Sequence, residues 1–257
     1  MVTETRIMRN RQWQRQRQKY WTVLGLLLAV GIMLVGLVGW RMVHQREVRQ
    51  ALLQKYPVRG LELDQTSAYV DFNQAARHGV KYVYLRATQG GTLTDDDFSN
   101  NYERSLGSGM QIGVYHQYSF TAKIRDQEQN LIKTIGKKRG SLPLMINIAY
   151  YDNYTAANVN RQELRRRVEQ LTQDLFHRYQ RPVIIQTEAE NYRALRGIAH
   201  TEFCGELGKS SHPAHFVTLP DDQQYYPDGA ASGYRMTAFL GNKLQWKHYA
   251  QKLPQVE

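Results

Sequence analysis

Leu142-Pro143-Leu144-Met145-Ile146-Asn147-Ile148-Ala149 is the stretch on which the reading of this chain turns. An apolar run of this length, with β-branched Ile146 and Ile148, reads as a buried strand. Similar runs recur, and strands are expected at Val58–Asp64, Lys81–Ala87, Gln111–Ser119, Leu142–Ile148, Pro182–Thr187, His215–Leu219 and Tyr234–Leu240. Helices are expected between them, at Phe72–His78, Phe98–Ser108, Ile124–Lys138 and Asn160–Tyr179. In the last of these, Leu164, Val168, Leu171 and Leu175 fall on one helical face. Strands alternating with helices predict βα units, hence an α/β fold with a mainly parallel sheet or barrel. Asp221–Gly233 reads as a loop.

Working residues in βα barrels gather at the C-terminal ends of the strands. That rule puts Glu62, Asp64, Gln89, Tyr115, His116, Asn147, Ala149, Gln186 and Glu188 on or near one face. Glu62 and Asp64, two apart, share one side of a strand, where neighbouring carboxylates shift each other's pKa. Asp64 equally reads as a turn cap, and Tyr115 as barrel filling with His116 bonded to backbone.

Five segments in order carry a family resemblance. They are Gly60-Leu61-Glu62-Leu63-Asp64, continuing to Val70-Asp71-Phe72; His78-Gly79-Val80, continuing to Arg86-Ala87-Thr88-Gln89-Gly90; Asp97–Tyr102; Gly109-Met110-Gln111-Ile112-Gly113-Val114-Tyr115-His116; and Leu142–Ala149. Together they resemble the glycoside hydrolase family 25 lysozymes, muramidases that cut the β-1,4 bond between N-acetylmuramic acid and N-acetylglucosamine. The likeness runs from Val58 to about Leu195 and more weakly to Leu253. It implies a modified (β/α) barrel and peptidoglycan as the ligand. It also implies a proton donor at the Glu of an Asp-x-Glu motif, helped by that motif's Asp, an opening Asp and a C-terminal Asp.

Here the donor's position is Ala149, its companion is Asn147 and the opening Asp is Glu62. Tyr234–Lys252 holds no Asp or Glu. Glycoside hydrolysis needs carboxyl groups to protonate the leaving oxygen and to steady the oxocarbenium-like centre. Losing a general acid typically costs about 10²–10⁴ in rate. The expectation is a domain that binds peptidoglycan or a wall-associated partner with little or no hydrolysis. Its candidate site is Glu62 for any remaining catalysis, with Asp64, Gln89, Tyr115 and His116 for substrate binding. Two alternatives stand beside it: an active divergent muramidase, and a protein-interaction scaffold.

Ahead of this domain, Trp21–Trp40 is a run of 20 residues without a charge. At about 1.5 Å per residue it matches a bilayer core of about 30 Å, and tryptophans bracket it as interfacial anchors. No A-x-A-like cleavage site follows, which favours an uncleaved anchor over a signal peptide. Six Lys/Arg precede the span, and Arg41, Arg46, Arg49, Lys55 and Arg59 follow it. This slight bias puts the N-terminus in the cytoplasm. The resemblance puts the domain outside, as a single-pass cell-membrane protein. The expected organisation is a basic tail at 1–20, a transmembrane helix at 21–40, a stalk at 41–56 and the barrel domain at 57–257. Gly25 and Ala29 form a small-xxx-small pair of the kind that lets two membrane helices approach.

The net charge is +11, which suits anionic polymers or headgroups. No zinc-finger, RNP or Walker pattern supports nucleic acid. The single cysteine, Cys204, permits no internal disulfide and reads as an inert thiol. Neither a metal cluster nor a cofactor motif is expected.

Overall fold

The computed structural model describes residues 2–207, 214–221, 224, 226 and 232–253. The chain divides into two compact units, Met1–Ala51 and Leu52–Glu257. The first is helical from Val2 on, within helix α1 (Val2–Lys55). Its described part from Leu24 has a mean hydropathy of 2.2 in its most apolar window, none of that window buried. By length and composition this helix suffices to cross a membrane. The expected stalk at 41–56 continues α1 as far as Lys55, two residues before Pro57.

The second unit is a closed barrel. In chain order it holds β1 (Arg59–Leu63), α2 (Phe72–Arg77), β2 (Tyr82–Gln89), β3 (Leu93–Thr94), α3 (Phe98–Ser105), β4 (Gln111–Gln117), α4 (Ile124–Ile135) and β5 (Leu144–Ile148). Then come α5 (Arg161–Tyr179), β6 (Val183–Thr187), α6 (Ala189–Leu195), β7 (Thr201–Glu206), β8 (Phe216–Thr218), β9 (Arg235–Phe239) and α7 (Lys243–Gln251). The sheet order is β1-β9-β8-β7-β6-β5-β4-β2-β3, and a β1–β2 pairing closes eight strands into a ring, with β3 as a hairpin outside it. Most neighbours are parallel, but β9 runs antiparallel to both β8 and β1.

Local chemistry sets these elements. Asp71 caps α2 by accepting from Gln74 N at 2.9 Å, and Asn160 caps α5 through the backbone of Gln162 and Glu163. The expected apolar face of α5 is the buried one, with Leu164, Val168, Leu171 and Leu175 packed on the strands. All five residues of β5 are buried, as a strand covered on both sides requires.

Inside the ring, Tyr82, Tyr84, Met145, Ile184, Phe216 and Phe239 form a separate apolar core. Two tyrosine rings fit because Gly60 and Gly113 face them; a Cβ at either position would run into Tyr82 or Tyr84. Trp246 of α7 closes one end of the ring, its centroid 5.2 Å from Tyr82 and 5.3 Å from Phe239.

The sequence reading passed over three of these elements: β3, β7 and α7. β7 reads Thr-Glu-Phe-Cys-Gly-Glu, with no continuous apolar run. Its pairing to β6 and β8 holds it in strand form where propensity does not. The described part of the expected loop at 221–233 carries no strand or α-helix, only a 3-10 turn at Asp221; residues 222, 223, 225 and 227–231 of it lie outside the described residues.

Candidate functional site

The end of the ring opposite Trp246 holds the C-terminal ends of the parallel strands. Glu62, on β1, points into it with only 1% of its side chain exposed. Its Oε1 accepts a 2.5 Å hydrogen bond from Nε2 of Gln186 on β6. Its Oε2 lies 3.2 Å from Nε of Arg235, the residue paired with it across the β1–β9 ladder. The arginine N–H is not aimed at that oxygen, so the contact is an ion pair, and Oε2 has no hydrogen-bond donor among the described residues. Burial pushes the Glu62 carboxyl above the usual carboxylate range; the Arg235 charge and the Gln186 amide pull the other way without cancelling it. Arg235 is held charged, its pKa raised first by Glu62.

Asp64, two residues on, is built differently. Burial favours its neutral form, but hydrogen bonds from Thr66 and the Arg86 charge outweigh that and hold its pKa low. Its Oδ1 accepts from Thr66 N at 2.8 Å and from Thr66 Oγ1 at 2.6 Å, so it caps a turn. Arg86 of β2 bridges Asp64 at 3.2 Å and the buried Asp95 at 2.8 Å. The coupling expected between Glu62 and Asp64 is therefore not what sets their titration. Each carboxylate has its own arginine.

Tyr115 of β4 lies beside both carboxylates, with its hydroxyl pKa raised first by burial and then by Glu62 and Asp64. It belongs to the inner core. Asn147 of β5 is buried, and its side chain has no hydrogen-bond partner among the described residues. Ala149 follows at the strand's end, half-buried. Beyond it Phe120 stacks on Tyr154 with centroids 4.8 Å apart, and Tyr150 and Tyr151 adjoin it. These rings belong to the outer core between the strands and the helices, where Tyr150 Oη donates to Asn191 Oδ1 of α6 at 2.8 Å.

One expected site residue falls elsewhere. His116 is fully buried on the outer side of the barrel wall, not on the cleft. Gln127 Oε1, which already accepts from Ser119 N, takes the Nε2 proton at 3.1 Å, so Nδ1 accepts from Thr88 Oγ1 at 2.8 Å. Burial lowers its pKa to about 4, and it stays neutral. The reason is alternation: Tyr115 points inward, so its neighbour must point out. Gln89 is exposed at the end of β2, in register with Gln117, beyond a bulge between Arg86 and Thr88.

The residues that the sequence reading missed lie on the last strands. A cleft of about 450 Å³ opens between Glu206, Thr218, Asp221, Gln224 and Arg235, among others. Thr218 Oγ1 is 3.0 Å from the same Gln186 amide that holds Glu62. The inward positions of the expected strand Tyr234–Leu240 were the available signal for Arg235. Cys204 lies beneath this cluster, with its thiol pKa pushed up first by burial. Among the described residues, no three His, Cys, Asp or Glu side chains are grouped to hold a metal.

Comparison with known proteins fits this geometry. The sequence profile of Glycosyl hydrolases family 25 matches residues 64–202, more than half of the chain. The fold is similar to a family 25 glycosyl hydrolase from Bacillus anthracis, at a TM-score of 0.66 and 21% identity, covering 76% of this chain and 94% of that one. At that identity the likeness speaks for the fold. Uncharacterized protein YegX of Escherichia coli O6:H1 is 24% identical over 172 residues, 65% of this chain and 58% of the relative. The autolytic lysozyme of Clostridium acetobutylicum is 36% identical over 59 residues, 23% of this chain and 18% of that protein. The chain spans about half the length of the Escherichia coli relatives it matches, at 58%, 48% and 42%.

Proposed function

The chain belongs to glycosyl hydrolase family 25, and from that premise we propose a membrane-anchored domain that binds peptidoglycan with little or no hydrolysis. One observation carries this reading. The strand end where the resemblance places the proton donor presents Ala149 and a buried Asn147, while the closed barrel that carries it is retained. Hydrogen bonding and stacking survive the loss of the carboxyls; proton transfer to a leaving oxygen does not. Asp64, Gln89 and Tyr115 serve as glycan contacts in this reading. His116, behind the barrel wall, serves the scaffold. Residues 21–40 span the cell membrane, with the tail at 1–20 in the cytoplasm and 57–257 outside, joined by the stalk at 41–56.

One observation favours the active alternative. Glu62 is a buried carboxyl with a raised pKa at the mouth of the ring, the property expected of a general acid. The Arg235 ion pair and the Gln186 hydrogen bond weigh against it, because both favour the ionised form.

The test incubates the full-length chain in detergent with purified peptidoglycan beside an active lysozyme. Co-sedimentation and mass spectrometry of the soluble products are then read. Binding without products supports the proposal. Muropeptides with new reducing N-acetylmuramic acid ends support the active reading, which Glu62→Gln must then abolish. Neither binding nor products leaves the protein-interaction scaffold.

A further inference from the structure

Helix α7 lies at the end of the barrel away from the cleft. β9 runs antiparallel to β1, with Ala238 beside Arg59, so the chain leaves β9 at the end where it enters β1. Trp246 turns inward and closes the ring, and Asn242 and Gln245 form the capping box that starts the helix. The outward side carries Lys243, Leu244, Lys247, His248 and Gln251, all exposed. Leu244 is 69% exposed and Leu240, just before the helix, 40%. One exposed leucine is ordinary. Here two leucines sit among Lys243, Lys247 and Lys252, and residues 240–253 contain no acidic residue. The nearby carboxylate of Glu202 is engaged by Tyr249 Oη at 3.1 Å and His215 Nδ1 at 3.4 Å.

We propose that this end of the barrel docks on an anionic lipid surface. Lysines flanking short apolar side chains are the composition of an interfacial helix, where the amines meet phosphates and the leucines enter the headgroup layer. The uniform positive charge selects an anionic surface. Two leucines are too little apolar area for a stable contact with a second copy, which needs roughly 800 Å² per partner. The inference rests on the membrane-anchored reading for the nearness of a bilayer. A barrel seated by this end turns the Glu62 end away from the lipid.

The test puts the full-length chain into nanodiscs holding one copy each, with Leu244→Cys carrying a polarity-sensitive thiol dye. Cys204 is buried and does not compete for the label. In discs containing phosphatidylglycerol the emission shifts to the blue. In phosphatidylcholine discs, and with Lys243→Glu and Lys247→Glu added, it does not. A dye at the exposed Asp96→Cys, at the other end, keeps its aqueous emission throughout. Aqueous emission from position 244 in both lipids overturns the proposal, as does a blue shift found only in discs holding two copies. A chain that does not copurify with the discs overturns the anchored reading instead, and docking is then read by adding it to phosphatidylglycerol vesicles.

Discussion

Replacing Arg235 with Met removes the cation facing Glu62 and keeps a side chain of similar length. Glu62 has 1% of its side chain exposed and Arg235 49%. Stranding one partner of a fully buried pair costs about 3–5 kcal/mol. Here the arginine is half in water, which weakens the pair, and the Gln186 amide stays on Oε1, so about 2 kcal/mol at pH 7 is expected. For a barrel of this size that lowers the melting temperature by about 4–8 °C. The loss depends on pH. The folded pKa of Glu62 lies above its unfolded value. The stability this confers is full below the unfolded pKa, about 4.3, and is lost as pH rises through the folded pKa. Without Arg235 the folded pKa rises further, so the gap between parent and variant is wide at pH 7 and closes near pH 4. Other titrating groups, His116 among them, act on both chains and cancel. The assay is thermal unfolding of both chains in detergent, followed by near-ultraviolet circular dichroism at pH 7 and pH 4. Adding Glu62→Gln to Arg235→Met keeps an acceptor for Gln186, removes the stranded charge and recovers most of the loss at pH 7. Equal destabilisation at both pH values, or no recovery in the double variant, refutes the reasoning.

Three further outcomes are expected. Ala149→Glu with Asn147→Asp returns the missing carboxyls and raises muropeptide release about 10²–10⁴-fold over the parent; a folded variant with no gain shows that more than these two groups was lost. Trp246→Ala opens the closed end of the ring and costs about 3–5 kcal/mol, read by urea unfolding, because its ring packs on Tyr82 and Phe239. Burial holds the folded pKa of His116 at about 4, below the usual histidine value of 6.5. The stability this confers is present above pH 6.5 and falls away toward pH 4, by about 3 kcal/mol in all. A His116→Gln variant, less stable at pH 7, shows a flatter acid limb in pH-dependent melts.

The barrel was legible because its strands are apolar runs that recur between helices. Leu142–Ile148 and the α5 face needed nothing beyond composition and periodicity. β7 was not legible: two glutamates and a glycine disguise it, and only its neighbours make it a strand. The site divides the same way. Alternation places Glu62 and Tyr115 inside the ring from sequence alone, and the same rule, applied one residue on, sends His116 behind the wall. Arg235 was hidden because the chemistry of the resemblance calls for an acid on the last strand. What stands there is the base that neutralises an acid on the first.

That pairing of first strand with last bears on how the protein is made. β1 lies between β2 and β9, so half of its backbone hydrogen bonding waits for residues 235–239. A chain synthesised from its N-terminal end delivers β1 early and β9 about 180 residues later, and contacts of such long sequence separation form slowly. In that interval β1 is an open sheet edge, and Glu62 is a carboxylate without its arginine. Ring closure, the neutralising of Glu62 and the seating of Trp246 therefore arrive as one late event. A truncation before Arg235 is expected to leave a sheet that recruits other chains and not a smaller working domain.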